Sequence, residues 1–352
     1  MQFSTFWTRF GSKLTLLSIP ASIQASFLDQ IKQHLSPNLA FADELADMLN
    51  ISRDSAYRRI RGETTLSFEE IKTLSNRFQI SLDTLLGNSD QTVTFNFRVI
   101  NRKSFPLDQW LGSILKNLEM IGRFDRKELT WMAKDVPIPH YFQFPELASF
   151  KCFFWMKTIL QYPEYAEKKY NERFVGDQLL SLTEKISERY TQTPSTEIWS
   201  FETVQVTLHQ IEHYFDCELF EKTTDAVKVC EQYLILINQL EKETQLGYKF
   251  DNHSPEKRGA PYKVYYSDIM IGDNTILFTM DDASETFITP NFFLLSTFNS
   301  HFCEQTHHYF NNIISRSVMI SGSSEKERAR IFKKFRAGVE RLLEKVKRVE
   351  VA

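Results

Sequence analysis

The stretch from Phe41 to Gly62, FADELADMLNISRDSAYRRIRG, constrains this chain more tightly than any other. Phe41, Leu45, Met48 and Leu49 recur at helical spacing and make one apolar stripe, and the small Ala42 and Ala46 let a second helix approach closely. Asn50 suits the left-handed conformation that ends a helix, and Ile51 plugs the turn into a core. Ser52 is a good N-cap, with Asp54 in the positive first turn of the next helix. Ala56 and Ile60 lie four apart and face inward, and Gly62 stops the helix. Each local choice agrees with one geometry, two short helices joined by a tight turn.

The flanks predict a five-helix domain over residues 21–87. Ser26 to Leu35 reads as a first helix with Phe27, Leu28, Ile31 and Leu35 as its apolar face, ended by Pro37. Ser67 and Glu70 have the spacing of a capping box, followed by Phe68, Ile71, Leu74 and Phe78 at helical spacing. Ser81 to Leu86 makes a last short helix, closed by Gly87.

The inward positions leave Arg53, Asp54, Ser55, Tyr57, Arg58 and Arg61 facing outward or sideways. A helix-turn-helix needs such a surface, because the N-terminal part of its second helix enters the DNA major groove. Arg53, Asp54, Ser55 and Arg58 occupy the groove-facing positions and are the candidate base contacts. Ser52, Tyr57, Arg59, Arg61 and Thr64, at the side or end of the helix, are candidates for phosphate contact or for bracing. Two blander readings compete: an ordinary solvated helix face, and a helix-turn-helix that contacts only protein. Charge argues against both. Ile51 to Arg61 carries four arginines against one acid, while the whole chain has 42 basic and 45 acidic residues and a net charge of -3. The positive potential is local, as groove docking requires.

From about Phe27 to Gly87 the chain resembles the phage-repressor helix-turn-helix family, of Cro-like or XRE-like type. LADMLNISRDSAYRRIRGETTLSFEEIKTLSNRFQISLDTLL follows its pattern from second to fifth helix, closest to a variant with an AYRRIRGE segment in Bacteroidetes-like bacterial regulators. One departure is Ile60, where a Glu often precedes the Arg-Gly pair. The resemblance implies a bacterial, repressor-like transcription regulator whose partner is double-stranded DNA, bound as a symmetric homodimer.

The other residues are less specific. A chain of 352 residues suits two or three domains, and 42% hydrophobic content supplies their cores. Cys152, Cys217, Cys230 and Cys303 are scattered, which fits free thiols in a reducing cytoplasm. No apolar run reaches membrane-spanning length. Residues 1–20 read as a flexible or loosely docked leader without signal-peptide organisation.

The overall expectation is a mainly α chain: the helix-turn-helix domain, a mostly helical regulatory or dimerisation region over 88–250, a linker at 251–261 (DNHSPEKRGAP), and a smaller α+β region over 262–352. In the middle region, alternation from Val93 to Val99 predicts a strand, Leu107 to Ile121 a helix, Glu128 to Lys134 a second strand and Pro145 to Leu160 a buried helix. Tyr165 to Leu246 reads as helical throughout, broken near Thr193-Pro194 and near Glu221 to Thr223. In the last region, strands are expected over Lys263–Ile271, Thr275–Met280 and Glu285–Thr289, then a helix over Phe292–Ser315, a strand at Val318–Ile320 and a long charged helix from Ser323 to about Val349, with Ile331, Phe335, Val339 and Leu342 as its buried stripe. These regions would bind a small-molecule or protein signal.

Two constellations invite other readings. His209-Gln-Ile-Glu-His213 matches the HxxEH zinc-peptidase pattern, with Glu212 beside the two histidines on one helix. His301, Cys303, His307 and His308 share the aromatic helix and could ligate a soft metal. Ordinary structural or surface placement explains both, so no metal, cofactor or catalytic residue is expected and the chain is not read as an enzyme. The alternatives are a metal-dependent enzyme or metal sensor with an appended DNA-binding domain, and an interaction scaffold.

Overall fold

The structure is a computed structural model that describes residues 22–33, 35, 40–78, 80, 93–97, 107–171, 174–251, 254–269, 271–281, 283–289 and 295–351. The leader at 1–20 and the expected helix from Ser81 to Leu86 lie outside the described residues. The chain divides into two compact units, Met1–Ser89 and Asp90–Ala352.

In the first unit, α1 (Ile23–Gln33), α2 (Phe41–Leu49), α3 (Arg53–Ile60) and α4 (Phe68–Phe78) enclose a small core. Phe27, Leu28 and Ile31 of α1 meet Leu45 and Ala46 of α2, Ala56 of α3 and Leu74 of α4 there. Asn50 ends α2 at φ 52°, its left-handed backbone reversing the chain, and Gly62 does the same after α3 at φ 75°. The capping box closes in both directions: Ser67 N donates to Glu70 at 2.8 Å, and Glu70 N donates to Ser67 Oγ at 3.2 Å.

Among the described residues, the second unit is built on one mixed sheet of nine strands. The strands are β1 (Asn96–Phe97), β2 (Lys127–Ala133), β3 (Ser195–Trp199), β4 (Tyr248–Asp251), β5 (Ser254–Tyr266), β6 (Asn274–Met280), β7 (Ala283–Thr289), β8 (Leu295–Thr297) and β9 (Val318–Met319). Their order is β1-β8-β7-β6-β2-β3-β5-β4, with β9 also on β5. β2, β3 and β5 are parallel, and β6, β7 and β8 extend the sheet from β2 as an antiparallel meander. The parallel pairs require crossovers, and helices supply them. α5 (Leu107–Gly122) precedes β2. Between β2 and β3 run α6 (Ile138–Tyr141), α7 (Pro145–Phe154) with a π-helical turn at Trp155–Ile159, and α8 (Asp177–Thr191). Between β3 and β5 run α9 (Glu202–Asp216), α10 (Thr223–Leu246) and β4. α11 (Ser300–Ile314) and α12 (Glu325–Val351) follow the meander.

Strand periodicity sorts side chains into two layers. Leu129, Trp131, Trp199, Ile276, Phe278 and Phe287 belong to the large core shared with the crossover helices. Their neighbours Met132, Ile198 and Leu277 belong to a smaller core with Cys303 and Phe310 of α11. α12 joins the large core through Ile331, Phe335, Val339 and Leu342, its expected buried stripe.

This architecture overturns the expected mainly α arrangement of a helical middle followed by a separate, smaller α+β region. The sheet takes β2 and β3 from the middle and β5 to β9 from the end, so the two regions are one unit. Ser195-Thr-Glu-Ile-Trp199, read as helical, is a central strand with all five residues buried. A strand covered on both faces loses the alternation that identifies strands in sequence. Of the expected linker, residues 254–261 belong to β5, which pairs with β4. The start of the expected 292–315 helix is replaced at Leu295–Thr297 by β8. Among the described residues, no helix is long and apolar enough to cross a membrane.

Candidate nucleic-acid interface

The eight-residue α3 is held from both ends. Ser52 caps it, accepting from Ser55 N at 3.2 Å and donating to Ser55 Oγ at 2.9 Å. After the helix, Glu63 N bonds to Arg58 O at 2.8 Å and Gly62 N to Arg59 O at 3.1 Å, so the last carbonyls are satisfied. Gln24 of α1 adds a long-range clamp. Its amide donates to Arg59 O at 2.8 Å and Thr64 O at 2.9 Å, and its carbonyl accepts from Leu66 N at 2.8 Å. Sequence reasoning missed Gln24, because its partners lie 35 to 42 residues away and no local pattern joins them.

The arginines separate into two kinds. Arg59 turns inward: its guanidinium forms a fork on Glu70, at 2.8 and 3.2 Å, and donates to Ser55 O at 3.2 Å. Both side chains are only 16% exposed. Burial raises the Glu70 carboxyl, but the hydrogen bonds from Arg59 and Ser67 outweigh it and hold the group below its usual range. Arg59 therefore ties α3 to α4. Arg53, Arg58 and Arg61 are exposed, and so are Asp54 and Tyr57. Arg53 meets Asp43 at 2.8 Å and lies 5.8 Å from the centre of the Tyr57 ring. Arg58 and Arg61 share Glu63, at 3.7 and 2.7 Å. Such exposed pairs are weak in water and exchange readily for a phosphate or a base edge. Ser55 is half-buried against the cap, and Thr64 is half-buried with its carbonyl held by Gln24.

The histidine constellations do not converge. His209 and His213 of α9 are exposed, and Glu212 is engaged by Lys345 of α12 at 3.0 Å. On α11, Cys303 is buried against the sheet, with Thr286 Oγ1 donating to it at 3.3 Å, whereas His301, His307 and His308 are exposed. Among the described residues, no group of three or more His, Cys, Asp or Glu is placed to hold a metal ion.

A cluster of ionisable groups is buried in the second unit. Glu197 of β3 accepts from His140 at 2.8 Å, Tyr190 at 2.5 Å, Trp199 Nε1 at 2.8 Å and Tyr262 at 3.0 Å. Burial opposes its charge, but His140, the Tyr190 hydrogen bond and nearby Lys249 hold it below the usual carboxylate range. Lys249 donates to Thr193 O and Ser195 Oγ nearby, and burial pulls its ammonium down to about 7 against the attraction of Glu197 and Glu243. His140, Glu197, Glu243 and Lys249 are all at most 1% exposed. Glu197 satisfies the buried hydroxyl and indole donors around this covered strand, whereas Glu243 Oε2 has no hydrogen-bond partner.

In comparison with known families, the BetR domain matches residues 22–96, less than half of the chain. No curated protein and no solved structure matches the chain. The BetR match is compatible with a DNA-binding regulator.

Proposed function

We propose that the chain is a sequence-specific transcription regulator whose first unit binds double-stranded DNA through a helix-turn-helix of Cro-like type. The observation that carries this reading is the division of arginines on α3: Arg59 is consumed internally, while Arg53, Arg58 and Arg61 stay exposed on a short helix fixed by a cap, a glycine stop and the Gln24 clamp. Arg53, Asp54, Ser55 and Arg58 read base edges. Ser52, Tyr57, Arg61 and Thr64 contact phosphates, and Arg59 positions the helix. The chain binds as a homodimer, since paired half-sites multiply a modest single-site affinity. The second unit receives a signal and performs no catalysis.

Duplex binding measured across a salt series tests the proposal. Affinity should fall steeply with salt, and Arg61→Ala should weaken all sequences about equally while reducing the salt slope by about one. Absence of duplex binding at low salt would favour a module that contacts only protein.

A further inference from the structure

The second unit contains a cavity of about 350 Å³ between the sheet and its crossover helices. β2, β6 and β7 form its floor through Trp131, Phe278 and Phe287, and Trp110 of α5 and Trp155 of α7's end form walls. The π-helical turn at Trp155–Ile159 lies on this wall, its widened ring closed by Leu160 N on Trp155 O at 2.8 Å. Such turns interrupt a regular helix at a cost and are frequent at functional sites. The volume is in the range of small-molecule sites and has room for roughly a dozen water-sized groups.

The polar end of the cavity is rich in donors. Asp135 and Lys134 are its charged lining residues. The Asp135 carboxylate is already spent: Tyr141 and Thr207 donate to one oxygen at 2.6 and 3.0 Å, and Lys151 donates to the other at 2.8 Å. The buried Lys151 cancels that charge and also donates to the Gln210 carbonyl at 2.9 Å. Gln210 also lines the cavity, and its side chain keeps an amide nitrogen able to donate. Among the described residues, no acid pairs with the exposed Lys134. An apolar, aromatic chamber thus ends in an ammonium and an amide donor, with the neighbouring carboxylate neutralised.

We propose that this cavity binds a small apolar carboxylate, its alkyl or aryl body between the tryptophans and its carboxylate on Lys134 and Gln210. The site answers the question of what signal the second unit receives, and in that respect it rests on the regulatory reading; binding itself does not.

Three of the chain's five tryptophans line the cavity, so their fluorescence reports occupancy directly. Titrating the full chain with decanoate, 2-naphthoate and decanol should give saturable quenching or a spectral shift for at least one carboxylate. Which carboxylate binds separates an acyl from an aryl ligand. Lys134→Gln should weaken that binding about tenfold and remove most of its advantage over decanol, since one charge-assisted contact is lost. Val206→Phe, which fills the cavity from α9, should abolish binding while duplex affinity stays at the parent's value. No saturable signal with either carboxylate overturns the proposal, as does equal binding of decanoate and decanol that Lys134→Gln leaves unchanged. Duplex affinity with and without the bound carboxylate is measured separately: an unchanged value counts against the sensory reading, and the fluorescence result alone decides the site.

Discussion

Arg58 and Arg59 are adjacent and chemically identical, yet α3 gives them opposite tasks. One helical step, about a quarter turn, takes Arg58 to solvent at 59% exposure and Arg59 to Glu70. Arg58→Ala should therefore leave stability nearly unchanged and relax preference at one position of each half-site, worth about 1–3 kcal/mol of discrimination. Selection on random duplexes reads this, and an unchanged motif would remove Arg58 from the groove. Arg59→Ala should instead destabilise the first unit by about 1–3 kcal/mol, because a largely covered, forked pair loses one partner. Chemical denaturation measures it. Glu285 offers a test in pH. Burial lifts its carboxyl to about 8, only partly opposed by a hydrogen bond with Ser296. Between the ordinary carboxylate value and that one, the folded chain holds a proton that the unfolded chain has released. This group's contribution therefore falls as pH rises through that window, by about 1.4 kcal/mol per pH unit. Glu285→Gln, which mimics the protonated form, should flatten the difference in stability between pH 5 and 8; parallel profiles for parent and variant would contradict it.

Elements answer to closer packing than sequence patterns reveal. The DNHSPEKRGAP segment has the proline, glycine and charge of a linker, yet its residues 254–261 are part of β5. Gly259 is the reason the hairpin can lie there. A Cβ at this position would stand 2.6 Å from both the Lys249 and Thr191 carbonyl oxygens. Both obstacles are backbone, so neither can rotate away. Gly259→Ala should cost about 1–3 kcal/mol or more, as overpacking does. Gly112 of α5 is the control, with nothing within 4 Å of its hypothetical Cβ. Gly112→Ala should stabilise by about 0.5–1 kcal/mol through helix propensity. Urea unfolding of the pair checks both signs, and equal effects would show that close approach at Gly259 is unimportant.

At the scale of the molecule, the proposed regulator would present two copies of its small first unit to DNA. The full chain should sediment as a dimer, and its selected operator should contain two half-sites with centres about 10–10.5 base pairs apart or a multiple of that. A monomer that selects a single half-site would leave DNA reading intact and remove dimerisation from the proposal. The second unit shows how a single sheet can join distant stretches. β2 pairs with β3 across more than sixty residues and with β6 across more than a hundred and forty, so its existence depends on contacts that no short window contains.

The sequence by itself determined the four described helices of the first unit, the turn at Asn50, the Ser52 cap and the Ser67–Glu70 box, because each depends on residues within about four positions of one another. It also determined the long terminal helix with its stripe from Ile331 to Leu342. Only the tertiary structure decided that Arg59 faces Glu70, that Gln24 clamps the end of α3, and that Ser195–Trp199 is a strand. The physical reason is common to all three. Their partners are remote in sequence, and a residue covered on every side carries no periodic record of the faces it meets.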